Sequence, residues 1–134
     1  MKFLRQLSAG VAVAALALTL STPSMAKWPN KAIEFIIPFG AGGGADIEGR
    51  VLAKEMGKVL GVPVVVINKP GAGGAKTYTY VKNAKPDGNT LAFNSTSILT
   101  TTNIGNVPFG HDALAHIGRV EFQPLVFAVK YKSK

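Results

Sequence analysis

Residues 34–50, EFIIPFGAGGGADIEGR, decide the fold. An apolar run gives way to five glycines within ten positions, and Asp46 stands among them. Near-continuous hydrophobicity at Ile33, Phe35, Ile36 and Ile37 predicts a strand over 32–39, buried on both faces as in a parallel sheet. Beyond the glycines, Ile47, Val51, Leu52, Met56, Val59 and Leu60 recur at helical spacing. Glu48, Arg50, Lys54, Glu55 and Lys58 take the opposite face. Asp46 suits the N-cap of that helix and Gly61 its C-terminal stop, and Pro63 prevents continuation.

The pattern repeats downstream. VPVVVIN (62–68) reads as a second buried strand, and KPGAGG (69–74) as a second glycine loop entering a helix. Ala75, Tyr78, Val81 and Ala84 form the inward face of that helix. PDG at 86–88 is a turn signal. NTLAFNSTS (89–97) gives a third strand that ends in small hydroxyl residues. The remainder is less regular: a loop through Asp112, a short strand over 116–120 and another over 125–129. The order β-α-β-α-β with right-handed crossovers puts three strands side by side in a parallel sheet. The fold class is therefore α/β, a parallel sheet with flanking helices. All three strand C-termini open on one edge, where ligands of open α/β sheets bind.

The first 26 residues stand apart from this plan. Lys2 and Arg5 precede an apolar stretch from Val11 to Leu20, and Ser24-Met25-Ala26 supplies the small residues of a signal-peptidase site. The apolar stretch is shorter than the ~20 residues a membrane span needs. Residues 1–26 therefore read as a cleaved secretory signal, and the chain as periplasmic. The mature chain, Lys27 to Lys134, keeps thirteen basic and seven acidic residues, a net +6. Its size suits one domain, and with no cysteine it carries no disulfide. The lysines are spread singly, without a concentrated stripe or interleaved aromatics, which argues against nucleic-acid binding.

GAGGGA (40–45) matches the G-x-G-x-x-G/A pattern between a strand and a helix, as in dinucleotide-binding folds. Such a site places an acid at the end of the second strand to hold the ribose; here Asn68 and Lys69 stand there. The physical content of the loop survives that mismatch. Glycines let the backbone approach a ligand, and first-turn N–H groups favour an anion, carboxylate as well as phosphate. NKPGAGG (68–74) repeats the device. NSTS (94–97) reads either as side-chain donors for a polar ligand or as the N-cap of a following helix. No catalytic set emerges: there is no HExxH, no G-x-S-x-G and no cysteine. His111 and His116 with Asp112 hint at a metal cluster, but their context predicts one exposed and one packed histidine. Trp28, Tyr78 and Tyr80 read as packing residues.

The ordered set WPNKAIEFIIPFGAGGGAD, VVVINKPGAGG, KPDGNTLAFNSTS and VPFGHD resembles the Bug family. These are extracytoplasmic solute-binding receptors of tripartite tricarboxylate transporters. The resemblance runs to about residue 129. It implies a two-lobed clamp like the class II periplasmic binding proteins, non-enzymatic, without cofactor, capturing small carboxylates for a membrane permease of two subunits. A monomer is expected. Family ligands are held largely by backbone amides and ordered water. Matching positions are Phe39, Gly40, Ala41, Gly42, Gly43, Gly44, Ala45 and Asp46 in the first loop. Asn68, Gly71, Ala72, Gly73 and Gly74 follow in the second, and Ser95, Thr96 and Ser97 after the third strand. The chain departs from the family pattern at Ile67, usually an acid, and at Asn89, usually a tyrosine; neither removes a backbone donor.

Family members run to roughly 300 residues, two lobes of ordinary domain size. The resemblance therefore assigns 27–124 to a first lobe and 125–134 to the start of a crossover, as in a truncated chain. One lobe offers a rim of donors without enclosing a ligand, which predicts weakened affinity. Two other readings stay open on the residues alone: a Rossmann-like oxidoreductase fragment, or a remnant that binds nothing.

Overall fold

The computed structural model describes residues 27–122 together with Ala128 and Lys130. The predicted signal segment and most of the strand expected over 125–129 lie outside the described residues. Three parallel strands, β1 (Ile33–Ile37), β2 (Val64–Asn68) and β3 (Thr90–Ala92), form one sheet in the order β2-β1-β3. Helix α1 (Gly44–Leu60) joins β1 to β2. A 3₁₀ turn (Ala72–Gly74) and helix α2 (Ala75–Asn83) join β2 to β3, and helix α3 (Ser97–Asn103) follows. Phe35 is in register with Val66 on one side and Leu91 on the other. The β-α-β-α-β plan with three parallel strands stands as expected.

Alternation along β1 sends Ile33, Phe35 and Ile37 to one face and Ile36 to the other. All four are buried, Ile33, Ile36 and Ile37 completely. Phe35, Ile37, Ala53 and Phe93 form the core between sheet and α1, with Leu52, Val64, Val66 and Leu91 packed around them. The Phe35 and Phe93 rings meet edge to face, 6.1 Å between centroids, a favoured aromatic geometry. On the other face α2 contributes Tyr78, which is fully buried. β2 is only half-buried, and Val65 remains 47% exposed.

Helix α1 lies on the sheet by a different face from the one its large apolar residues mark. Its buried residues are Asp46, Gly49 and Ala53, whereas Ile47, Val51 and Val59 are exposed. The cause is close approach. A Cβ on Gly49 would lie 2.5 Å from Ile37 Cδ1, and one on Gly57 would lie 3.3 Å from the Val62 carbonyl oxygen. Small residues at these positions bring the helix axis near the sheet, and interior packing density then favours that face.

The start of α1 also differs. Gly43 occupies the N-cap, and Asp46 is the third helical residue rather than the cap. The C-terminus is as expected: Gly61 has φ 71°, and its N–H donates to the Gly57 carbonyl at 3.0 Å, a left-handed stop that glycine adopts without strain.

The segment 116–120 is exposed and unpaired, so the strand expected there is absent. His111 and His116 are both exposed, their ring centroids 6.2 Å apart, and neither is packed. Among the described residues no three groups are placed to hold a metal ion. Trp28 is half-exposed, and Tyr80 lies at the surface with its hydroxyl donating to Glu34 at 2.7 Å. Of the three aromatics expected to pack, only Tyr78 is buried.

Candidate functional site

The strand order places the C-terminus of β1 between those of β2 and β3, so the loops after all three strands share one edge. The first loop is held by Asp46. Its Oδ2 accepts the Gly42 N–H at 2.9 Å and the Arg50 Nε–H at 3.0 Å. Its Oδ1 accepts the Asn68 Nδ2–H at 2.9 Å and faces Arg50 Nη2 at 3.0 Å. Asn68 Nδ2 also donates to the Phe39 carbonyl at 3.0 Å, and Asn68 Oδ1 accepts from Arg50 Nη2 at 3.1 Å. A carboxylate so surrounded strongly prefers its charged form. The Arg50 guanidinium foremost, then the Gly42 and Asn68 donors, holds the Asp46 carboxyl far below the usual range.

These bonds tie the first glycine loop to the end of β2 and occupy the polar atoms of Asp46 and Asn68. Among the loop amides, Gly42 is taken by Asp46 and Gly43 by the Gly40 carbonyl. Gly40 and Ala41 donate to no acceptor among the described residues. Gly44 and Ala45 stand in the first turn of α1, ahead of any intrahelical acceptor. Gly40 to Gly44 are all exposed.

The second loop is built from its carbonyl side. Thr77 Oγ1 donates to the Lys69 carbonyl at 2.9 Å, Thr101 Oγ1 to the Gly73 carbonyl at 2.7 Å, and Asn106 Nδ2 to the Ala72 carbonyl at 3.4 Å. Thr77 and Thr101 are buried, at 0% and 1% exposure. With its carbonyls anchored inward, the loop leaves the amides of Gly71, Ala72 and Gly73 without an acceptor among the described residues. Gly74 makes the turn into α2 with φ 103°, against the Tyr78 ring.

At the end of β3 the Phe93 N–H still pairs with the Ile36 carbonyl, and the chain then leaves the sheet. Tyr78 Oη lies 2.9 Å from Asn94 Oδ1 and also bonds Ser97 Oγ. Ser95 Oγ lies 3.0 Å from Ser97 Oγ and accepts the Ser97 N–H at 3.2 Å. Burial pushes the Tyr78 phenol above its ordinary pKa, so it keeps its proton at neutral pH. The helix-start reading of NSTS stands: α3 begins here with Thr96 at its N-cap, without a side-chain cap hydrogen bond.

The structure thus brings the three expected segments to one place. It turns the side chains of Asp46 and Asn68 inward, toward each other. Arg50, Tyr78, Thr77 and Thr101 complete the site without having been singled out for it. Only Arg50 had a legible signal, its place four residues after Asp46 on a helix. An open groove of about 610 Å³ lies elsewhere, along the outer face of α2 at Ala75, Lys76, Thr79, Tyr80, Asn83 and Ala84. It shares no residue with the expected ligand positions, and the donor geometry, not the concavity, marks the site.

The described residues thus form an α/β lobe with glycine-rich loops at its strand C-termini. Comparison with known proteins gives the family. The model of the tripartite tricarboxylate transporter family receptor matches residues 49–134, and the chain belongs to that family. It is similar to a UPF0065 protein from the gbd 5′ region of Cupriavidus necator, 47% identical over 88 residues, which span 63% of this chain and 27% of that protein. It is similar to the BugT protein of Bordetella pertussis, 35% identical over 98 residues, 73% of this chain and 29% of BugT. Among solved structures, a TctC solute-binding protein from Polaromonas superposes with a TM-score of 0.60 at 40% identity, over 63% of this chain and 30% of the other. An R. palustris protein solved with adipate gives 0.52 at 28% identity, over 53% and 24%. The chain therefore spans about a third or less of these relatives. Membership does not favour the dinucleotide-enzyme reading of GAGGGA.

Proposed function

We propose that the chain acts as part of an exported, periplasmic receptor for small organic carboxylates, the tricarboxylate class or related acids. It would deliver them to a two-subunit membrane permease. The observation that carries the reading is the set of amides without an acceptor among the described residues, from two glycine loops on one strand edge. Backbone N–H groups with no internal acceptor are suited to carboxylate oxygens. The net charge of +6 adds a general attraction for anions.

In this reading the contacts come from Phe39 to Ala45, from Gly71 to Gly74 and from Ser95 to Ser97. Asp46 and Asn68 hold the loops in place. Residues 27–124 form the first lobe, and the chain from Leu125 begins the passage to a second. Capture and release involve no bond making, so no catalytic group or cofactor is required. Family membership and the adipate-bound R. palustris relative support the carboxylate class.

A thermal-shift series on the purified chain with citrate, adipate and NAD tests this. Binding to the folded state raises the midpoint by mass action. Stabilisation by citrate or adipate is expected. Stabilisation by NAD alone, or by none of the three, overturns the proposal.

A further inference from the structure

The end of β3 carries a chain of hydroxyl contacts whose protons can be assigned one by one. The Ser95 N–H lies 2.7 Å from the δ1 atom of Asn94. A backbone N–H only donates, so that atom is the carbonyl oxygen, which fixes the orientation of the amide. Tyr78 Oη approaches the same oxygen at 2.9 Å and must therefore donate its single proton there. The Tyr78–Ser97 contact then takes its proton from Ser97 Oγ. Ser97 has no second proton, so Ser95 Oγ donates to Ser97 at 3.0 Å. The Ser97 N–H donating to Ser95 Oγ agrees with that direction. Every hydroxyl proton of Tyr78, Ser95 and Ser97 is committed, and the two serines offer only acceptor oxygens.

What remains on this segment as a side-chain amide donor is Asn94 Nδ2, with two N–H groups. They have no partner among the described residues, and Asn94 is exposed two residues beyond β3. Its Oδ1 is pinned by two donors, so the amide of this exposed residue is fixed without freedom to flip and its NH₂ group stays available. We propose that Asn94 Nδ2 is a ligand-carboxylate donor of this site at the β3 end. The inference rests on the carboxylate reading. It moves the side-chain recognition from the serines, whose protons are spent, to their neighbour.

Asn94→Asp is the matching test. The new carboxylate keeps an oxygen for Tyr78 and Ser95, so the fold is retained, while the NH₂ group becomes an anionic oxygen. Calorimetry with adipate and citrate is expected to show binding weakened by about tenfold or more, with the unliganded thermal midpoint little changed. In ¹⁵N-resolved NMR the Asn94 side-chain resonances should shift when adipate is added to the unmodified chain. If the unmodified chain binds either acid and Asn94→Asp binds it equally well, the Asn94 assignment falls and the carboxylate reading stands. If the unmodified chain binds neither acid, both fall.

Discussion

Asn68 Nδ2 donates to Asp46 Oδ1 at 2.9 Å, a bond from the last residue of β2 to the first turn of α1. It makes the two glycine loops one unit, because the same amide nitrogen also holds the Phe39 carbonyl. Asp46 is buried and its charged form is favoured by Arg50, Gly42 and Asn68. The folded-state pKa lies below the unfolded value of about 4. The stabilisation is therefore fully present above that pH and is lost as pH falls toward the folded value. Asp46→Asn should be less stable than the unmodified chain at pH 7, and the gap should narrow steadily below pH 4. Urea midpoints at pH 7, 4 and 3 check this; a gap that stays constant contradicts it.

Asp87 provides a second, milder case. The Asn89 amide N–H, with Lys31 alongside, holds its carboxyl down to about 2. By the same sign, its contribution is complete above about pH 4 and fades toward pH 2. In Asp87→Asn, acid unfolding followed by circular dichroism should depend less steeply on pH in that interval.

Gly49 is where α1 touches the sheet most closely. Gly49→Val would press two methyl groups toward buried Ile37 and add a β-branched residue to a helix. Overpacking of this kind costs about 1–3 kcal/mol. Val51→Ala, on the exposed side of the same helix, should stay within about 0.5 kcal/mol. Chemical denaturation of both variants tests the contrast, which large-apolar periodicity alone would place the other way round.

Thr101 anchors the second loop through the Gly73 carbonyl. Thr101→Val keeps the shape but removes the donor, at a cost of about 1–2 kcal/mol. Hydrogen exchange should accelerate at Gly74 and Ala75, whose amides bond the Gly71 and Ala72 carbonyls, while the β1 amides remain protected. Uniform acceleration across the sheet would mean that the hydroxyl serves global stability instead.

Gly74 combines φ 103° with a Tyr78 ring that would lie 2.7 Å from any Cβ. Gly74→Ala is expected to destabilise by about 1–3 kcal/mol from backbone strain, beyond the ring clash. It should also perturb the Asn94 side-chain resonances, since Tyr78 bonds Asn94. Loss of stability without that perturbation would uncouple the turn from the β3 end.

The strand–glycine–helix alternation was legible because each element carried its own period and stop signal. The sheet, its parallel sense and the convergence of the three loops followed. The orientation of α1 was not legible in the same way. Hydropathy ranks Ile47 and Val51 above Gly49 and Ala53, but helix-to-sheet distance is set by volume, and the small residues win the contact. Asp46 misled for a related reason: an aspartate is favoured both at the N-cap and in the first turn, and only the geometry separates the two. The carbonyl anchors Thr77 and Thr101 left no pattern, since a buried threonine reads as an ordinary helix residue. The segment 116–120 has apolar content but no pairing partner among the described residues, so composition alone suggested a strand.

A serine hydroxyl ordinarily turns to suit whatever approaches it, donating to one visitor and accepting from the next. Tyr78, at 0% exposure, removes that adaptability from Ser95 and Ser97. The chemical polarity of this outer surface is thus written from within the core. A single atom removed there, as in Tyr78→Phe, would give the surface hydroxyls back their choice of partner and take away one of the two donors that hold the Asn94 amide.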